Sequence, residues 1–312
     1  MQNKRIKVVN ISGSGRSGST LLGNVLGQSD GFFFGGELRS IWKLLLTEES
    51  LCACGVPLRE CSIWRGIFNK AFGGIEMVNA EMIAQTIQNT TRSKHMLHRL
   101  FKYKENNFNL LVSSYLKEIK KLFFSIQSFS NCKVIVDSSK SPLYGYILSL
   151  IEGLDVYIIH LIRDPRGVAY SRQKKKIQSY EKKIIYMRQY NSFNSSLTWN
   201  IINLLTESLR KRYHLNCLRV CYEDFANNPQ KVLNRILDFI GEPSSSSSLV
   251  SEKIADLNAN HSVWGNPARF QTGETEIKLD EEWKEKMNKT DILISSLVTF
   301  PLLLKYGYKL TT

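Results

Sequence analysis

Residues 8–22 read VVNISGSGRSGSTLL, an apolar segment followed by a turn rich in glycine and hydroxyl side chains and then by apolar residues again. This order predicts a β-strand, a loop and an α-helix. The N-terminus of a helix presents unpaired N–H groups and the positive end of the helix dipole, and Gly13, Gly15 and Gly18 let an anion approach the backbone. Arg16 adds a fixed charge. The stretch therefore predicts a phosphate-binding loop, although glycine-rich turns of this kind also occur without a ligand.

The loop departs from the nucleoside-triphosphate pattern G-x-x-x-x-G-K-[ST]. Gly13 and Gly18 have the required spacing, but Ser19 stands where the pattern has a lysine, and the cation lies inside the loop at Arg16. Because that lysine reaches the outer phosphates, an ATP or GTP hydrolase is disfavoured. We expect a loop that binds another phosphate-bearing cofactor, with Ser17 and Thr20 as further hydroxyl donors.

The length and charge of the chain narrow the class of protein. A chain of 312 residues suits one large α/β domain, here residues 1–312. Its 42 Lys and Arg against 28 Asp and Glu give a formal net charge of +14. This charge suits an anionic ligand, and equally nucleic acid or an anionic membrane surface. The sequence has no recognisable nucleic-acid motif, so we expect no nucleic-acid partner.

The N-terminal segment leads directly from charged residues into the first strand, and nothing in it marks the chain for export. The longest apolar run, 292–304, is interrupted by polar residues and is shorter than the ~20 residues of a spanning helix. We therefore expect no transmembrane segment and a cytoplasmic protein.

Six cysteines in a chain of this size indicate a reducing compartment rather than a disulfide scaffold. Cys52, Cys54 and Cys61 lie close together in CACGVPLREC and could supply three ligands of a zinc site. No fourth Cys or His follows at the spacing of a zinc finger. We therefore favour a compact turn with reduced thiols, expect no metal, and leave zinc open.

Two further polar residues are predicted at the edge of the sheet where the phosphate loop lies. A short apolar run at 32–34 is followed by Gly35, Gly36 and Glu37, and the strand at 132–137 is followed shortly by Lys140. In open α/β sheets ligands bind beyond the carboxyl ends of the strands. Glu37 and Lys140 are therefore candidates for chemistry, although Lys140 taken alone would be interpreted as a solvated loop residue.

A second anion site is predicted after the apolar strand 155–162. Asp164 as N-cap and Pro165 at the first helical position begin a helix there, with Arg163 just before it and Ser171 within it. An arginine at a helix start suits an anion, and the alternative is a structural pair between Arg163 and a carboxylate. His160, inside the strand, is interpreted as a core histidine, and the lysines at 174–176 as a solvated helix face.

The remaining segments complete the expected fold. Residues 45–130 predict a helical insertion that shapes the acceptor site, within which His95 and His98 are interpreted as surface residues. Residues 244–248 are a serine linker. The whole pattern predicts an α/β protein, a P-loop-type three-layer fold with a central, mainly parallel sheet flanked by helices, plus the insertion.

Three motifs in this order resemble the sulfotransferases that use 3′-phosphoadenosine-5′-phosphosulfate (PAPS): GRSGSTLL at 15–22, IRDPRGVAYSR at 162–172 and YEDFANNPQKVLNRILDFIG at 222–241. The resemblance covers most of the chain outside 45–130. It is closer to the carbohydrate and tyrosylprotein branches and to bacterial relatives than to the aryl and steroid branch, whose lysine-threonine-histidine motif is absent.

The resemblance implies how the cofactor is held. Arg16 would contact the bridging oxygen of the phosphosulfate, and Arg163 with Ser171 would hold the 3′-phosphate. Tyr222 would contact the adenine, and Arg269 in GNPARF would approach the 3′-phosphate, in a segment that aligns poorly across branches. The loop residues implied in cofactor binding are Gly15, Arg16, Ser17, Gly18, Ser19 and Thr20.

The resemblance also implies a catalytic set of Glu37 as base with Arg16 and Lys140 as cations. Sulfuryl transfer needs an in-line nucleophile, a base and charge stabilisation on the leaving oxygen, which fixed cations can supply without a metal. The predicted enzyme transfers the sulfuryl group of PAPS to an acceptor hydroxyl of a glycan, a small molecule or a tyrosine. The alternatives are a metal-dependent nucleoside or small-molecule kinase and a basic nucleic-acid-binding protein. The sequence leaves the acceptor and the oligomeric state open.

Overall fold

A five-stranded, fully parallel sheet forms the centre of the protein in the computed structural model. The structure describes residues 5–48, 50–91, 105–180, 184–244 and 249–310. The predicted α/β class with a central parallel sheet is confirmed. In spatial order the strands are β2 (Phe32–Gly36), β3 (Val134–Lys140), β1 (Ile6–Gly13), β4 (Leu154–Ile162) and β7 (Cys217–Cys221).

Two small antiparallel units accompany this sheet. A hairpin joins β5 (Ile177–Tyr180) to β6 (Ile184–Tyr186), and a three-stranded sheet has the order β10-β9-β8, with β8 at Leu249–Ser251, β9 at Ile254–Leu257 and β10 at Gly273–Glu276.

Helices surround the central sheet and join its strands. In chain order they are α1 (Ser19–Gly27), α2 (Ile41–Leu44), α3 (Ser62–Phe72), α4 (Ala80–Thr91), α5 (Glu105–Ser130), α6 (Pro142–Ser149), α7 (Pro165–Gln173), α8 (Ser192–Tyr213), α9 (Tyr222–Asn227), α10 (Pro229–Ile240), α11 (Glu282–Lys286) and α12 (Lys289–Lys305). No helix in the described ranges is long and apolar enough to cross a lipid bilayer.

The central strand β1 is buried on both faces, because successive side chains of a strand point to opposite sides of the sheet. Val8 belongs to one hydrophobic cluster together with Ile135 of β3, whereas Val9 belongs to a second cluster together with α1 and α10. The hydroxyl and glycine residues that follow β1 are therefore presented at the carboxyl edge of the sheet, with packed layers on both sides.

The predicted helix start after β4 is confirmed, and the helix after β3 begins in the same way. Ser141 accepts a hydrogen bond from the Tyr144 N–H ahead of Pro142, and Asp164 accepts one from the Arg166 N–H ahead of Pro165. A proline at the first helical position loses no hydrogen bond, since its N–H would have no partner in the helix. Both helices thus begin directly beyond the carboxyl ends of their strands.

The lysines at 174–176 do not lie on a helix face as predicted, because α7 ends at Gln173. Lys174 has an extended backbone and forms an ion pair with Glu282. His160 is buried, and its Nε2 lies 2.7 Å from Asn203 Oδ1, as expected of a core histidine.

The helices within 45–130 pack on the sheet through one continuous hydrophobic cluster. Trp64 of α3 and Phe123 of α5 belong to the same cluster as Ile135 of β3. His95 and His98, and most of the serine run at 244–248, lie outside the described residues.

Candidate active site

The loop between β1 and α1 leaves the helix N-terminus open. Gly18 is the N-cap of α1, has a left-handed backbone (φ +84°), and offers no side chain to cap the first turn. The first N–H groups of a helix have no partner within the helix. An anion can therefore bind them directly, and the preference of glycine for positive φ explains why this residue type stands here.

Tyr222, at the start of α9, supports the loop from beneath. A Cβ atom at Gly18 would lie 2.7 Å from the Tyr222 ring, so only glycine allows this approach. The Tyr222 hydroxyl donates to the Lys278 carbonyl (3.2 Å) and accepts from the Asp280 N–H (3.0 Å). The buried ring is thus held against the loop from below, whereas the resemblance implied a contact with adenine.

Arg16 is a half-buried residue of the loop, and Ser17 beside it is buried. Arg16 also has a left-handed backbone (φ +74°), which costs a non-glycine residue about 1–2 kcal/mol. Desolvation lowers the pKa of Arg16 from its ordinary value. The Ser17 hydroxyl is buried and has no hydrogen-bond partner among the described residues. Backbone strain and an unpaired buried hydroxyl are features of sites shaped for a ligand.

Two arginines reach the loop, Arg163 from the β4–α7 connection and Arg172 from α7. Arg163 donates to the Arg16 carbonyl (3.1 Å), forms an ion pair with Asp280 (3.0 Å), and lies 4.6 Å from the Tyr222 ring centroid. Arg172 donates to the Ser14 hydroxyl (3.1 Å). Burial lowers the pKa of Arg172 to about 10. The structure thus joins the two predicted anion sites.

Arg163 and Ser171 are both buried, and neither is among the residues that line the cleft described below. The Arg163–Asp280 ion pair is the carboxylate contact that the sequence left open as the structural alternative. The same guanidinium also bonds the loop backbone, so a structural contact and a place beside the phosphate loop coexist.

Glu37 and Lys140 form an ion pair across neighbouring strand ends. Glu37 follows β2, Lys140 ends β3, and these two strands are hydrogen-bonded neighbours. Their side chains are 12% and 20% exposed. Lys140 has a left-handed backbone (φ +62°), which turns the end of β3. The two residues that the sequence placed at the edge of the sheet therefore meet there.

Buried polar contacts from β3 hold the segment that carries Glu37. Asp137 accepts a hydrogen bond from the Ser139 N–H (2.8 Å), and the Ser139 hydroxyl accepts one from the Arg39 N–H (3.0 Å). Desolvation raises the pKa of Asp137 to about 7. This buried network fixes the backbone just after Glu37.

The segment 261–266, called the 261–266 loop below, packs against Glu37 from the other side. The Val263 N–H donates to the Gly35 carbonyl (3.0 Å), and the Glu37 N–H donates to the Val263 carbonyl (2.9 Å). A Cβ atom at Gly265 would lie 2.9 Å from Glu37 Oε1. The base candidate is therefore held by β-type pairing with a segment more than 200 residues further along the chain.

These elements enclose a cleft of about 340 Å³, within the range of small-molecule sites. The phosphate loop and the Glu37–Lys140 pair line the same cleft. Within the described chain, none of its lining residues comes from 45–130, so the predicted role of this insertion in shaping the acceptor site stays a prediction. The lining residues beyond the loop are Leu21, Glu37, Lys140, Arg172, Met187, Arg188, Tyr190, Trp264, Gly265, Asn266 and Ala268.

Sequence reasoning missed several residues of this cleft. Arg172 was part of the second motif but was not assigned to the site, and Arg188 and Tyr190 come from the segment before α8. Lys176 lies close enough to Arg16 for their like charges, together with desolvation, to lower the pKa of Lys176. An excess of basic residues between 172 and 188 was the available signal, since an anion cradle needs more than one cation.

Arg269 has a different environment from the one expected. Its guanidinium is buried and donates to the carbonyls of Ser262 (3.0 Å) and Leu51 (2.9 Å). Its neighbour Ala268 lines the cleft, but Arg269 is not among the lining residues. In this structure Arg269 therefore joins two backbone segments and does not face the phosphate loop.

The three clustered cysteines acquire a fourth neighbour from the 261–266 loop. Cys52, Cys54, Cys61 and His261 place one ligand atom each within 4.8 Å of one another. The sequence interpretation ended at three ligands, because His261 lies 200 residues after Cys61.

A glycine-rich loop, a second group of basic residues and a carboxylate–lysine pair lie at one edge of the parallel sheet of this α/β protein. The sequence model described as "Sulfotransferase family" matches residues 9–246, which is most of the chain. The chain therefore belongs to the sulfotransferase family.

Curated relatives of the chain carry the same family name. The chain is 24% identical to carbohydrate sulfotransferase 1 of Rattus norvegicus over 196 residues, which is 57% of this chain and 46% of the relative. The Mus musculus protein of the same name is 24% identical over 194 residues, which is 57% of this chain and 45% of the relative. The chain therefore spans about half the length of the curated relatives that it matches.

Two solved structures share the fold. The sulfotransferase domain from the curacin biosynthetic pathway has a TM-score of 0.54 at 19% identity, and the match covers 97% of this chain and 98% of that domain. The sulfotransferase domain from the Synechococcus PCC 7002 olefin synthase has a TM-score of 0.50 at 21% identity and covers 99% and 98%. At these identities the likeness shows the fold alone.

Proposed function

We propose that the protein is a PAPS-dependent sulfotransferase that sulfates a hydroxyl group, with Glu37 as the base. The observation that carries this proposal is the Glu37–Lys140 ion pair in the same cleft as the phosphate loop. A carboxylate beside two cations, Arg16 and Lys140, combines a proton acceptor with charge stabilisation for a leaving phosphate.

The donor set fits a doubly phosphorylated nucleotide. The uncapped N-terminus of α1 and the unpaired Ser17 hydroxyl suit the phosphate next to the sulfuryl group. Arg163, which donates to the loop backbone, and Ser171, in the helix that follows it, suit the 3′-phosphate. Two neighbouring phosphate sites favour a nucleotide phosphorylated at both ends of its ribose over a nucleoside triphosphate.

Each side chain then has a defined task. Bound PAPS supplies the sulfuryl group and leaves as adenosine 3′,5′-bisphosphate. Glu37 accepts the proton of the acceptor hydroxyl while the new O–S bond forms and the bridging O–S bond breaks. Arg16 and Lys140 stabilise the negative charge that grows on the departing phosphate oxygen. As the proton neutralises Glu37, its attraction for Lys140 falls, so the ammonium group is free to follow the charge to the leaving oxygen.

The acceptor side of the cleft carries aromatic and cationic groups. Trp264, Tyr190 and Arg188 are among the residues that line this cleft. Aromatic faces suit flat or ring-shaped partners, and a cation suits an acidic one. The similarity to carbohydrate sulfotransferases supports glycan hydroxyls as the first class to test, followed by small natural products and tyrosine peptides.

The experiment is a PAPS-consumption assay over this acceptor panel, preceded by a thermal-shift test with adenosine 3′,5′-bisphosphate. We expect the bisphosphate to raise the melting temperature and at least one hydroxyl acceptor to gain a sulfate. Parallel reactions with ATP and Mg²⁺ should give no phosphorylated product. Phosphoryl transfer from ATP without PAPS turnover would contradict the proposal and favour a kinase.

A further inference from the structure

We propose that Cys52, Cys54, Cys61 and His261 form a structural zinc site. The metal would join the 261–266 loop to the segment between α2 and α3. The four residues come from two parts of the chain, 51–61 and 261–266, which only the folded protein brings together. The site lies outside the cleft that binds the phosphate.

Three spacings among the four ligand atoms match a tetrahedral metal centre, and all four atoms lie within 4.8 Å of one another. Nδ1 of His261 lies 3.3 Å from Cys61 Sγ and 3.7 Å from Cys52 Sγ, and Cys54 Sγ lies 3.8 Å from Cys61 Sγ. Zinc bonds of about 2.3 Å to sulfur and about 2.0 Å to nitrogen at tetrahedral angles place two sulfurs about 3.8 Å apart and a sulfur and a nitrogen about 3.6 Å apart. The observed distances lie close to these values.

The type of ligand selects the metal and the role. Three thiolates and one imidazole are a common structural zinc set, and soft sulfur ligands exclude magnesium and calcium. Four protein ligands leave no position for water or substrate, which argues against a catalytic zinc. A disulfide between two of the cysteines would leave the third thiol and the imidazole without a function.

The surrounding backbone holds the ligands in place. The Cys52 N–H donates to the Val56 carbonyl (2.9 Å) and the Gly55 N–H donates to the Cys52 carbonyl (2.9 Å), so the first two cysteines lie on a tight turn. Gly55 has φ +89°, which favours glycine at this turn. Cys61 is the N-cap of α3, where the positive end of the helix dipole favours a thiolate.

Contacts around the ligands join the same two segments. The indole N–H of Trp64 donates to the His261 carbonyl (2.8 Å), and the Ala53 N–H donates to the Ser262 carbonyl (3.1 Å). Arg269 bonds the carbonyls of Ser262 and Leu51, each one residue away from a ligand. Its buried positive charge offsets the net negative charge of three thiolates and one Zn²⁺. Hydrogen bonds of this kind around the ligating residues orient the ligands of protein metal sites.

The zinc site would fix the backbone that supports Glu37. His261 is two residues before Val263. The Val263 N–H donates to the Gly35 carbonyl, and the Val263 carbonyl accepts a hydrogen bond from the Glu37 N–H. A metal on His261 therefore holds the strand pairing that covers Glu37. This link to catalysis rests on the proposed function, whereas the presence of zinc does not.

Metal analysis of the purified full-length chain tests the site directly. We expect about one zinc per chain, the stoichiometry of a single four-ligand site. Cys54→Ser and His261→Ala should lose the metal and lower the melting temperature, whereas Cys217→Ser, a partly buried cysteine elsewhere on the sheet, should keep it. His261→Cys keeps four ligands, so it should retain zinc where His261→Ala does not.

Cobalt substitution tests the geometry without any variant. The full-length chain, freed of zinc with a chelator and reloaded with Co²⁺, should show intense d–d bands of tetrahedral cobalt together with sulfur-to-cobalt charge-transfer bands. Binding of less than a tenth of an equivalent of zinc or cobalt, a disulfide within the cluster, or stoichiometric iron would each overturn the proposal.

A kinetic comparison tests the link to Glu37 separately. If the metal fixes the loop that holds Glu37, His261→Ala should lower kcat for sulfuryl transfer while leaving the affinity for adenosine 3′,5′-bisphosphate nearly unchanged, and His261→Cys should restore kcat. Zinc loss with unchanged kcat would refute the link to Glu37 and leave the zinc site intact. Failure of the wild-type protein to turn over PAPS would refute the proposed function alone.

Discussion

Lys140 forms an ion pair with Glu37, although 103 residues separate them along the chain. Each residue follows a strand of the parallel sheet, and β2 and β3 are neighbours in it. The pair lies in the cleft that the phosphate loop lines. A proton acceptor and a cation are thus held beside the anion site before any ligand binds.

Glu37→Gln should reduce turnover by about 10²- to 10⁴-fold, the usual contribution of a general base. The amide keeps the size of the side chain but accepts no proton from a hydroxyl. Binding of adenosine 3′,5′-bisphosphate, measured by titration calorimetry, should change little. Glu118→Gln, which alters a surface ion pair with Lys121, is the control and should leave both quantities unchanged. Near-normal turnover in Glu37→Gln would remove Glu37 as the base.

Gly18→Ala should destabilise the protein more than Gly73→Ala. Both glycines have nearly the same φ, +84° and +82°, so alanine costs about 1–2 kcal/mol of backbone strain at either position. At Gly18 the new methyl group also collides with the Tyr222 ring at 2.7 Å, whereas no described atom lies within 4 Å of it at Gly73. Overpacking of this kind adds about 1–3 kcal/mol.

Thermal unfolding and bisphosphate titration measure the difference between these two variants. Gly18→Ala should also weaken the binding of adenosine 3′,5′-bisphosphate, since the loop has to shift away from Tyr222. Gly73→Ala should bind it normally. Equal melting temperatures for the two variants would show that the ring of Tyr222 does not support the loop.

Arg163→Ala and Ser171→Ala should each weaken the binding of adenosine 3′,5′-bisphosphate, and the effect of the arginine substitution should be larger. Loss of a charged hydrogen bond to a phosphate corresponds to about 10- to 100-fold in Kd. Adenosine 5′-phosphate, which lacks the 3′-phosphate, should lose much less affinity in the same variants. Arg65→Ala, an exposed arginine of α3, serves as the control. A Kd unchanged in both variants would remove the second anion site.

Asp137→Asn should change the pH dependence of stability in a defined direction. Desolvation raises the pKa of Asp137 from the ordinary aspartate value to about 7 in the folded protein, so the folded state holds this proton more tightly. Stability from this group is therefore present at low pH and is lost as pH rises from about 4 through about 7. The difference in melting temperature, Asp137→Asn minus wild type, should therefore increase as pH rises from about 4 to about 7.

The contribution of His160 to stability changes with pH in the opposite direction. His160 is present in both proteins of that comparison. Desolvation lowers its pKa to about 4 in the folded protein, so its contribution is lost as pH falls below the ordinary histidine value. Because wild type and Asp137→Asn share His160, its effect cancels in the difference between their melting temperatures. A difference that does not vary between pH 4 and pH 8 would contradict the assignment to Asp137.

Local patterns were sufficient for the elements that carry the site. A proline at the first helical position and a glycine after the last are local signals of a helix, and α10 begins at Pro229 and ends just before Gly241. Asp164 and Pro165 correctly located the start of α7. Such features depend on the conformation of one or two turns, and a short stretch of sequence encodes them completely.

Other expectations failed because they depend on distant neighbours. The lysines at 174–176 continue the basic helix pattern in sequence, yet the helix ends at Gln173 and Lys174 pairs with Glu282, 108 residues away. Arg269 was expected at a phosphate, but the nearby carbonyls of Ser262 and Leu51 bind its guanidinium. No local signal distinguishes a buried structural arginine from one that binds a ligand.

The sequence by itself determined the strand–loop–helix of residues 8–22, the order of the motifs, and the polar residues at the ends of the strands, since these follow from hydrophobic pattern, capping and glycine conformation. Only the tertiary structure decided which of those residues meet. The pairing of β2 with β3 joins Glu37 to Lys140, the packing of Tyr222 requires Gly18, and the pairing of Val263 with β2 brings His261 to the three cysteines. Such contacts arise from sheet order and burial across hundreds of residues, which no single stretch of sequence encodes.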